Sequence, residues 1–144
     1  MAIAMRYLVP VDFSKSSDMA LAYGARLLKE NKRASLLLVH VIKDSAAKVP
    51  FYTREQYYRE LKAEARKKIR RLLNKNHLKA LKSRVVIAVS SDPARAIANQ
   101  AKKTRASMII MGSRGHTGLK RLVLGSVAER TLRYATCPVL IVKR

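Results

Sequence analysis

Three glycines in the C-terminal third of the sequence have a spacing that could serve phosphate binding. Gly112, Gly115 and Gly125, the last followed by Ser126, form the pattern G-x2-G-x9-G-S between an apolar segment and an amphipathic one. Glycines directly after a strand permit a tight turn and let a bulky anion approach the backbone amides. A helix starting at Ser126 would add unpaired N–H groups and the positive end of its dipole. The pattern therefore predicts an anion site, with phosphate as the expected ligand.

Cationic side chains accompany this glycine pattern. Four residues in or beside the segment could add positive charge: Arg114, His116, Lys120 and Arg121. Two other interpretations stay open, since the glycines could simply connect a strand to a helix, and Ser126 with Glu129 could form an S-x-x-E capping box that occupies the serine hydroxyl. The pattern is neither a Walker A motif nor a G-x-G-x-x-G fingerprint. Its meaning therefore depends on the elements around it.

Length and composition predict one domain, spanning residues 1–144. The longest apolar stretches, such as Ser35 to Ile42, are far shorter than the roughly 20 residues of a membrane span. Met1 to Met5 contains no secretion signal, and the single Cys137 cannot form an internal disulfide. We therefore expect a soluble protein of the cytoplasm with no membrane span.

The sequence carries 31 Lys and Arg residues against 9 Asp and Glu, a formal net charge of +22. Such a surplus attracts nucleotides, nucleic acids or acidic membranes without specifying which of them binds. Much of it falls between Arg59 and Arg84, on a predicted helix from Thr53 to about Lys75. That region is either a nucleic-acid contact or a solvated helix face.

The elements that must position these residues alternate strictly along the chain. Five apolar runs indicate strands: Arg6–Phe13, Ala34–Ile42, Val85–Ser90, Met108–Met111 and Pro138–Val142. After each of the first four runs, apolar residues recur at the spacing of a helix. Asp92 with Pro93 forms a typical helix start. Because parallel neighbours need a crossover helix, the order β-α-β-α-β-α-β-α-β predicts a parallel sheet with helices on both faces.

The segment from Met111 to Arg144, MGSRGHTGLKRLVLGSVAERTLRYATCPVLIVKR, strongly resembles the C-terminal signature of the universal stress protein (UspA) family, in its ATP-binding branch. The stretches VPVDFS, LLLVHVI and DPARAI resemble other landmarks of the family, so the similarity spans essentially the whole chain. Ser91 and Ser107 depart from common family residues, as does the high positive charge. The resemblance implies a Rossmann-like, adenine nucleotide alpha hydrolase-like fold whose five-stranded parallel sheet has strand order 3-2-1-4-5.

This fold implies a ligand site beyond the strand ends, between strands one and four, where the winding direction reverses. By resemblance, Asp12 and the backbone at Val41 would hold ribose and adenine. The expected ATP-binding residues are Pro10, Val11, Asp12, Val41, Met111, Gly112, Arg114, Gly115, His116, Gly125, Ser126 and Val127. Mg²⁺ or Mn²⁺ is the expected companion of ATP, and its protein ligands are left open.

The expected function is that of a nucleotide-dependent regulator in the stress response, with at most slow ATP hydrolysis. No pairing of a nucleophile with a base can be argued from His116, His40 or His77. The alternative is a polyanion-binding protein that contacts RNA or DNA through the basic second helix. The resemblance also implies a homodimer formed through the strand at 138–142, because an apolar sheet edge invites pairing.

Overall fold

The structure is a computed structural model that describes residues 4–115 and 123–143. Its strands and helices are β1 (Arg6–Pro10), α1 (Lys15–Glu30), β2 (Ser35–Lys43), α2 (Arg54–Lys75), β3 (Ser83–Ser90), α3 (Pro93–Thr104), β4 (Met108–Gly112), α4 (Ser126–Tyr134) and β5 (Val139–Val142). Two 3-10 turns, Ala46–Lys48 and Phe51–Thr53, lead from β2 into α2. The predicted alternation of strands and helices is confirmed.

All five strands belong to one parallel sheet with the order β3-β2-β1-β4-β5, as predicted. Leu8 on β1 pairs with Leu37 on β2 and with Ile109 on β4. The chain winds outward from β1 to β3 and then returns to the other side of β1 with β4. The reversal point thus lies between β1 and β4.

Alternating side chains on the central strands build a core on each face of the sheet. Val9 and Leu38 pack with residues of α1 and α2, including Leu21 and Ile69. On the other face, Leu8 and its two partners pack with residues of α3 and α4. Because β1 and β2 are buried on both faces, they are nearly continuous apolar runs in the sequence. The expectation of helices on both faces is confirmed.

Polar caps fix the starts of α1 and α3. The Oγ of Ser14 accepts a hydrogen bond from the N–H of Ser17 at 3.2 Å. Asp92 accepts one from the N–H of Arg95 at 3.2 Å, with Pro93 in the first turn. Such caps satisfy N–H groups that have no partner within the helix.

The alternative interpretation of Ser126 and Glu129 as a capping box is wrong. Gly125 is the cap residue, and Ser126 is the first residue of the helix. The carbonyl of Gly125 accepts the N–H of Glu129 at 2.9 Å, while the carboxylate of Glu129 pairs with Arg133 at 2.7 Å. The helix therefore begins one residue before the point at which a serine cap would have placed its start.

The longest helix, α2, has 22 residues, of which only Ala65 and Ile69 are fully buried. Its remaining surface is largely cationic. Among residues 4–115 and 123–143, no helix is both long enough and apolar enough to cross a bilayer.

Candidate functional site

A cavity of about 270 Å³ opens beyond the carboxyl ends of the strands, at the reversal point between β1 and β4. Eleven of the twelve residues predicted to hold a nucleotide line this cavity: Pro10, Val11, Asp12, Val41, Met111, Gly112, Arg114, Gly115, Gly125, Ser126 and Val127. The twelfth, His116, lies outside the described residues, as do Lys120 and Arg121. The fold thus brings the eleven together, and their role in binding stays a prediction.

Asp12 is held in place by the chain that follows it. Its Oδ1 accepts hydrogen bonds from the N–H of Ser14 at 3.0 Å and from the Ser14 hydroxyl at 2.5 Å. Phe13, between them, has a φ of 65°, a conformation that few residues other than glycine adopt. The turn thereby fixes the carboxylate at the mouth of the cavity.

Gly115 faces this carboxylate from the other side of the reversal point. A Cβ atom on Gly115 would lie 2.8 Å from Oδ2 of Asp12, closer than real Cβ contacts come. Only a residue without a side chain fits this approach without a shift of the neighbouring atoms. The carboxylate after β1 and the backbone after β4 therefore face the same small space.

Gly112 is required for packing as well as for the loop. A Cβ there would lie 2.3 Å from Oγ of Ser16 and 2.6 Å from the backbone carbon and oxygen of that residue. The first turn of α1 therefore rests directly on the end of β4. The Oγ of Ser16 also accepts the N–H of Arg114 at 3.3 Å, which ties the turn after β4 to α1.

Gly125 closes the loop. Its N–H donates to the carbonyl of Ser113 at 2.7 Å, and a Cβ on it would lie 3.3 Å from Cα of Arg114. This contact joins the two ends of the segment 113–125. It also places the first turn of α4 beside Gly115, where the helix dipole is positive.

The sequence model of the universal stress protein family matches residues 5–143. The chain belongs to the universal stress protein family.

Two relatives within the family match along nearly their whole length. The universal stress protein YxiE of Bacillus subtilis is 34% identical, over 96% of this chain and 98% of its own. The universal stress protein MJ0577 of Methanocaldococcus jannaschii is 31% identical over 96% of this chain and 94% of its own. The solved structure of MJ0577 superposes with a TM-score of 0.84, covering 99% of this chain and 98% of that chain.

A universal stress protein of Arabidopsis thaliana, At3g01520, has been solved with AMP bound. It is 21% identical and superposes with a TM-score of 0.62, covering 97% of this chain and 92% of the other. At this identity the likeness shows the fold alone.

Five cavity residues of this universal stress protein were not predicted from its sequence: Ser17, Val39, Pro93, Ile97 and Ala128. Val39 could have been found, because side chains two apart on a strand share a face and Val41 had been selected. Pro93 and Ile97 were recognised only as the start of α3. Their place in the cavity wall depends on how α3 lies across the sheet.

The polar groups of the cavity in this family member are unequally distributed. The first three N–H groups of α4, from Ser126 to Ala128, have no carbonyl acceptor within their helix and lie at the cavity. Arg114 lines the same region, and Asp12 is the sole carboxylate among the lining residues that the structure describes. The side of the cavity formed by the start of α4 and Arg114 is thus suited to an anion, and the side at Asp12 is suited to hydroxyl donors.

Proposed function

We propose that this universal stress protein binds ATP in the cavity between β1 and β4 and acts as a nucleotide-dependent regulator in the stress response. The single observation that supports this most strongly is the approach of Gly115 to Oδ2 of Asp12. It sets a carboxylate that can accept ribose hydroxyls directly across from backbone amides that can donate to phosphate.

The cavity suits an adenine nucleotide in size and in wall chemistry. Its volume of about 270 Å³ is near the roughly 300 Å³ lower limit of small-molecule pockets. Val39, Val41 and Ile97 give it apolar walls suited to a planar base. The nucleoside would fill the cavity, and the phosphates would extend toward Gly115 and the start of α4. The AMP held by the Arabidopsis protein is the kind of ligand that this fold can accommodate.

The companion metal, Mg²⁺ or Mn²⁺, would be held mainly by the nucleotide. Within the described ranges, no group of three or more His, Cys, Asp or Glu side chains converges on one point. Magnesium commonly keeps several waters and binds through substrate phosphates and one or two carboxylates.

We further propose that ATP hydrolysis is at most slow. Efficient phosphoryl transfer needs a residue that orients the attacking water. Among the described lining residues only Asp12 has a side chain that could accept a proton from the attacking water, and its Oδ1 already accepts two hydrogen bonds from Ser14. The site is therefore better suited to holding the nucleotide than to cleaving it.

A calorimetric titration tests the binding proposal. ATP with Mg²⁺ should release or absorb heat with the wild-type protein, and Gly115→Val should weaken binding about tenfold or more because its side chain would collide with Asp12. Thr136→Val, which places the same valine side chain in the exposed connection between α4 and β5, is the control and should bind normally. No heat with the wild-type protein would refute the proposal.

The assembly and location proposed with this function are a homodimer of single-domain chains, residues 1–144, in the cytoplasm. The support for the dimer is the position of β5 at the outer edge of the sheet, where its apolar residues are only half-buried. Exposed apolar edges favour pairing with another chain.

A further inference from the structure

One flank of α2 forms a row of cations along the free edge of the sheet. We call Arg59, Lys62, Arg66 and Arg70 the outer stripe. Their spacing of three, four and four residues places them on one side of the helix, over a rise of about 16 Å.

The contacts of α2 fix the direction in which the outer stripe faces. Ala65 and Ile69 are buried against the sheet. Glu64 and Lys68 lie on the flank that turns toward Phe13, with Nζ of Lys68 6.0 Å from the centre of that ring. Helical geometry puts the outer stripe on the opposite flank, beside β3, which is an edge strand.

Few acidic residues neutralise the positive charge of α2 and the residues that follow it. Residues 65–91 contain nine lysines and arginines and no aspartate or glutamate. Arg59 pairs with Glu55 at 2.7 Å and Lys68 with Glu64 at 2.9 Å. Beyond the end of α2 the positive charge continues with Lys79, an exposed residue of the connection to β3. Since clustered like charges repel one another, such a surface favours an extended anionic partner.

Two exposed aromatic rings stand at the start of the same helix. Phe51 and Tyr52, directly before α2, are 84% and 87% exposed. The guanidinium of Arg54 lies 5.6 Å from the centre of the Phe51 ring. Aromatic rings beside a cationic track are the features on which unpaired bases stack.

We propose that the surface of α2, from Phe51 and Tyr52 along the outer stripe to the C-terminal end of the helix, binds single-stranded nucleic acid without sequence preference. The cations contact successive phosphates, and the two rings stack on bases. A duplex would leave the rings without partners, because its bases are already stacked. A helix that lies on a membrane exposes a broad apolar face, whereas the apolar face of α2 is buried against the sheet. None of these residues lines the cavity, so the proposal is independent of ATP binding.

Fluorescence anisotropy with a labelled 20-nucleotide oligothymidylate, measured over a range of KCl concentrations, tests this surface. Each phosphate contact to a single strand contributes about −0.7 to the slope of log K against log salt. Four contacts predict a slope of about −3. A triple variant, Lys62→Gln with Arg66→Gln and Arg70→Gln, should flatten the slope by about 2 and weaken binding about tenfold or more.

The matched control removes three charges elsewhere. Lys29→Gln with Lys102→Gln and Lys103→Gln changes exposed residues in the last turns of α1 and α3. It should weaken binding less than about threefold, because only the general field of the protein changes. Phe51→Ala with Tyr52→Ala should weaken binding with little change in the salt slope. Circular dichroism and thermal unfolding establish that each variant is folded.

Three results would overturn the proposal. If the two triple variants lost the same amount of affinity for the oligonucleotide, net charge alone would attract it. Tighter binding to a 20-base-pair duplex than to the single strand, with no loss of single-strand binding when Phe51 and Tyr52 are both replaced by alanine, would exclude the stacking role of the rings. Binding to phosphatidylserine vesicles that excess oligothymidylate does not displace would identify a membrane surface as the partner.

Discussion

Nη2 of Arg130 on α4 lies 2.6 Å from Oδ2 of Asp92, the residue that caps α3. The other carboxylate oxygen, Oδ1, accepts the N–H of Arg95 at the start of that helix. One side chain thus both caps α3 and joins it to α4. The starts of the two helices that this contact joins also line the cavity.

Replacing Asp92 separates its two roles. Asp92→Ala should lower the free energy of unfolding by about 1 kcal/mol through loss of the cap and by a smaller amount through loss of the exposed ion pair with Arg130. Asp92→Asn keeps a capping oxygen and should lose only the second part. Urea unfolding of both variants measures the difference between their free energies of unfolding. Equal losses in Asp92→Ala and Asp92→Asn would show that the cap does not contribute to stability.

Gly112 provides a second test, in the absence of any ligand. Gly112→Ala should destabilise the fold by about 2 kcal/mol or more, because its Cβ would strike the backbone of Ser16 rather than a movable side-chain end. Gly125→Ala, whose Cβ would approach the Ser113 carbonyl only to 3.2 Å, should cost less. Thermal unfolding without nucleotide makes the comparison. A fully stable Gly112→Ala protein would show that Ser16 can move to accommodate the Cβ and that the packing does not require a glycine.

The order of elements and the sheet could be predicted from the sequence because both depend on patterns local to the chain. Apolar runs such as Ser35 to Ile42 are long enough to show a strand buried on both faces, and the Asp92–Pro93 pair shows where α3 starts. The resemblance to a known family supplied the strand order. The ends of the elements were predicted less accurately. The structure ends β1 at Pro10, whereas the predicted strand continued to Phe13.

Part of the candidate site could also be predicted, because it depends on residues that follow strands directly in the sequence. Asp12 and the glycines stand at strand ends, and those ends meet once the strand order is known. Contacts that depend on packing could not be predicted: Ile97 enters the cavity wall only because of the position of α3, and Gly112 must accommodate Ser16 of a distant helix. The capping box could not be judged from the sequence, because the cap residue of α4 is Gly125, whose N–H donates to the carbonyl of Ser113 at the other end of the loop.

Asp18 makes stability depend on pH. Burial raises the pKa of its carboxyl above the ordinary value, against the opposing effect of Lys75, and Oδ1 has no hydrogen-bond partner among the described residues. The folded state therefore holds the proton more tightly than the unfolded state does, so this residue's contribution to stability falls as pH rises through the raised pKa. Asp18→Asn should raise the midpoint of thermal unfolding at pH 7.

The gain in the unfolding midpoint from Asp18→Asn should shrink as the pH is lowered and vanish toward about pH 3, where the carboxyl is protonated in both the folded and the unfolded state. Thermal unfolding of the wild-type and variant proteins from pH 3 to pH 8 measures it. A difference that stayed constant over this range would show that ionisation of Asp18 is not its cause.

The strand β5 offers a test of the homodimer that leaves its pairing with β4 intact. The carbonyls of Pro138 and Val142 accept N–H groups on the β4 side, from Ile109 and Ser113. Backbone groups alternate in direction along a strand, so those of Val139 and Ile141 face the open edge. Ile141→Pro removes an N–H group from that edge and should shift the protein toward a monomer.

Light scattering at micromolar concentration distinguishes one chain mass from two. Ile141→Val keeps the N–H group and should remain dimeric, which separates the loss of the edge donor from the change of side chain. Circular dichroism of Ile141→Pro should show a folded protein, because the bonds from β5 to β4 use the neighbouring residues. A wild-type protein of one chain mass would contradict the dimer, and a dimeric Ile141→Pro variant would place the contact away from this edge.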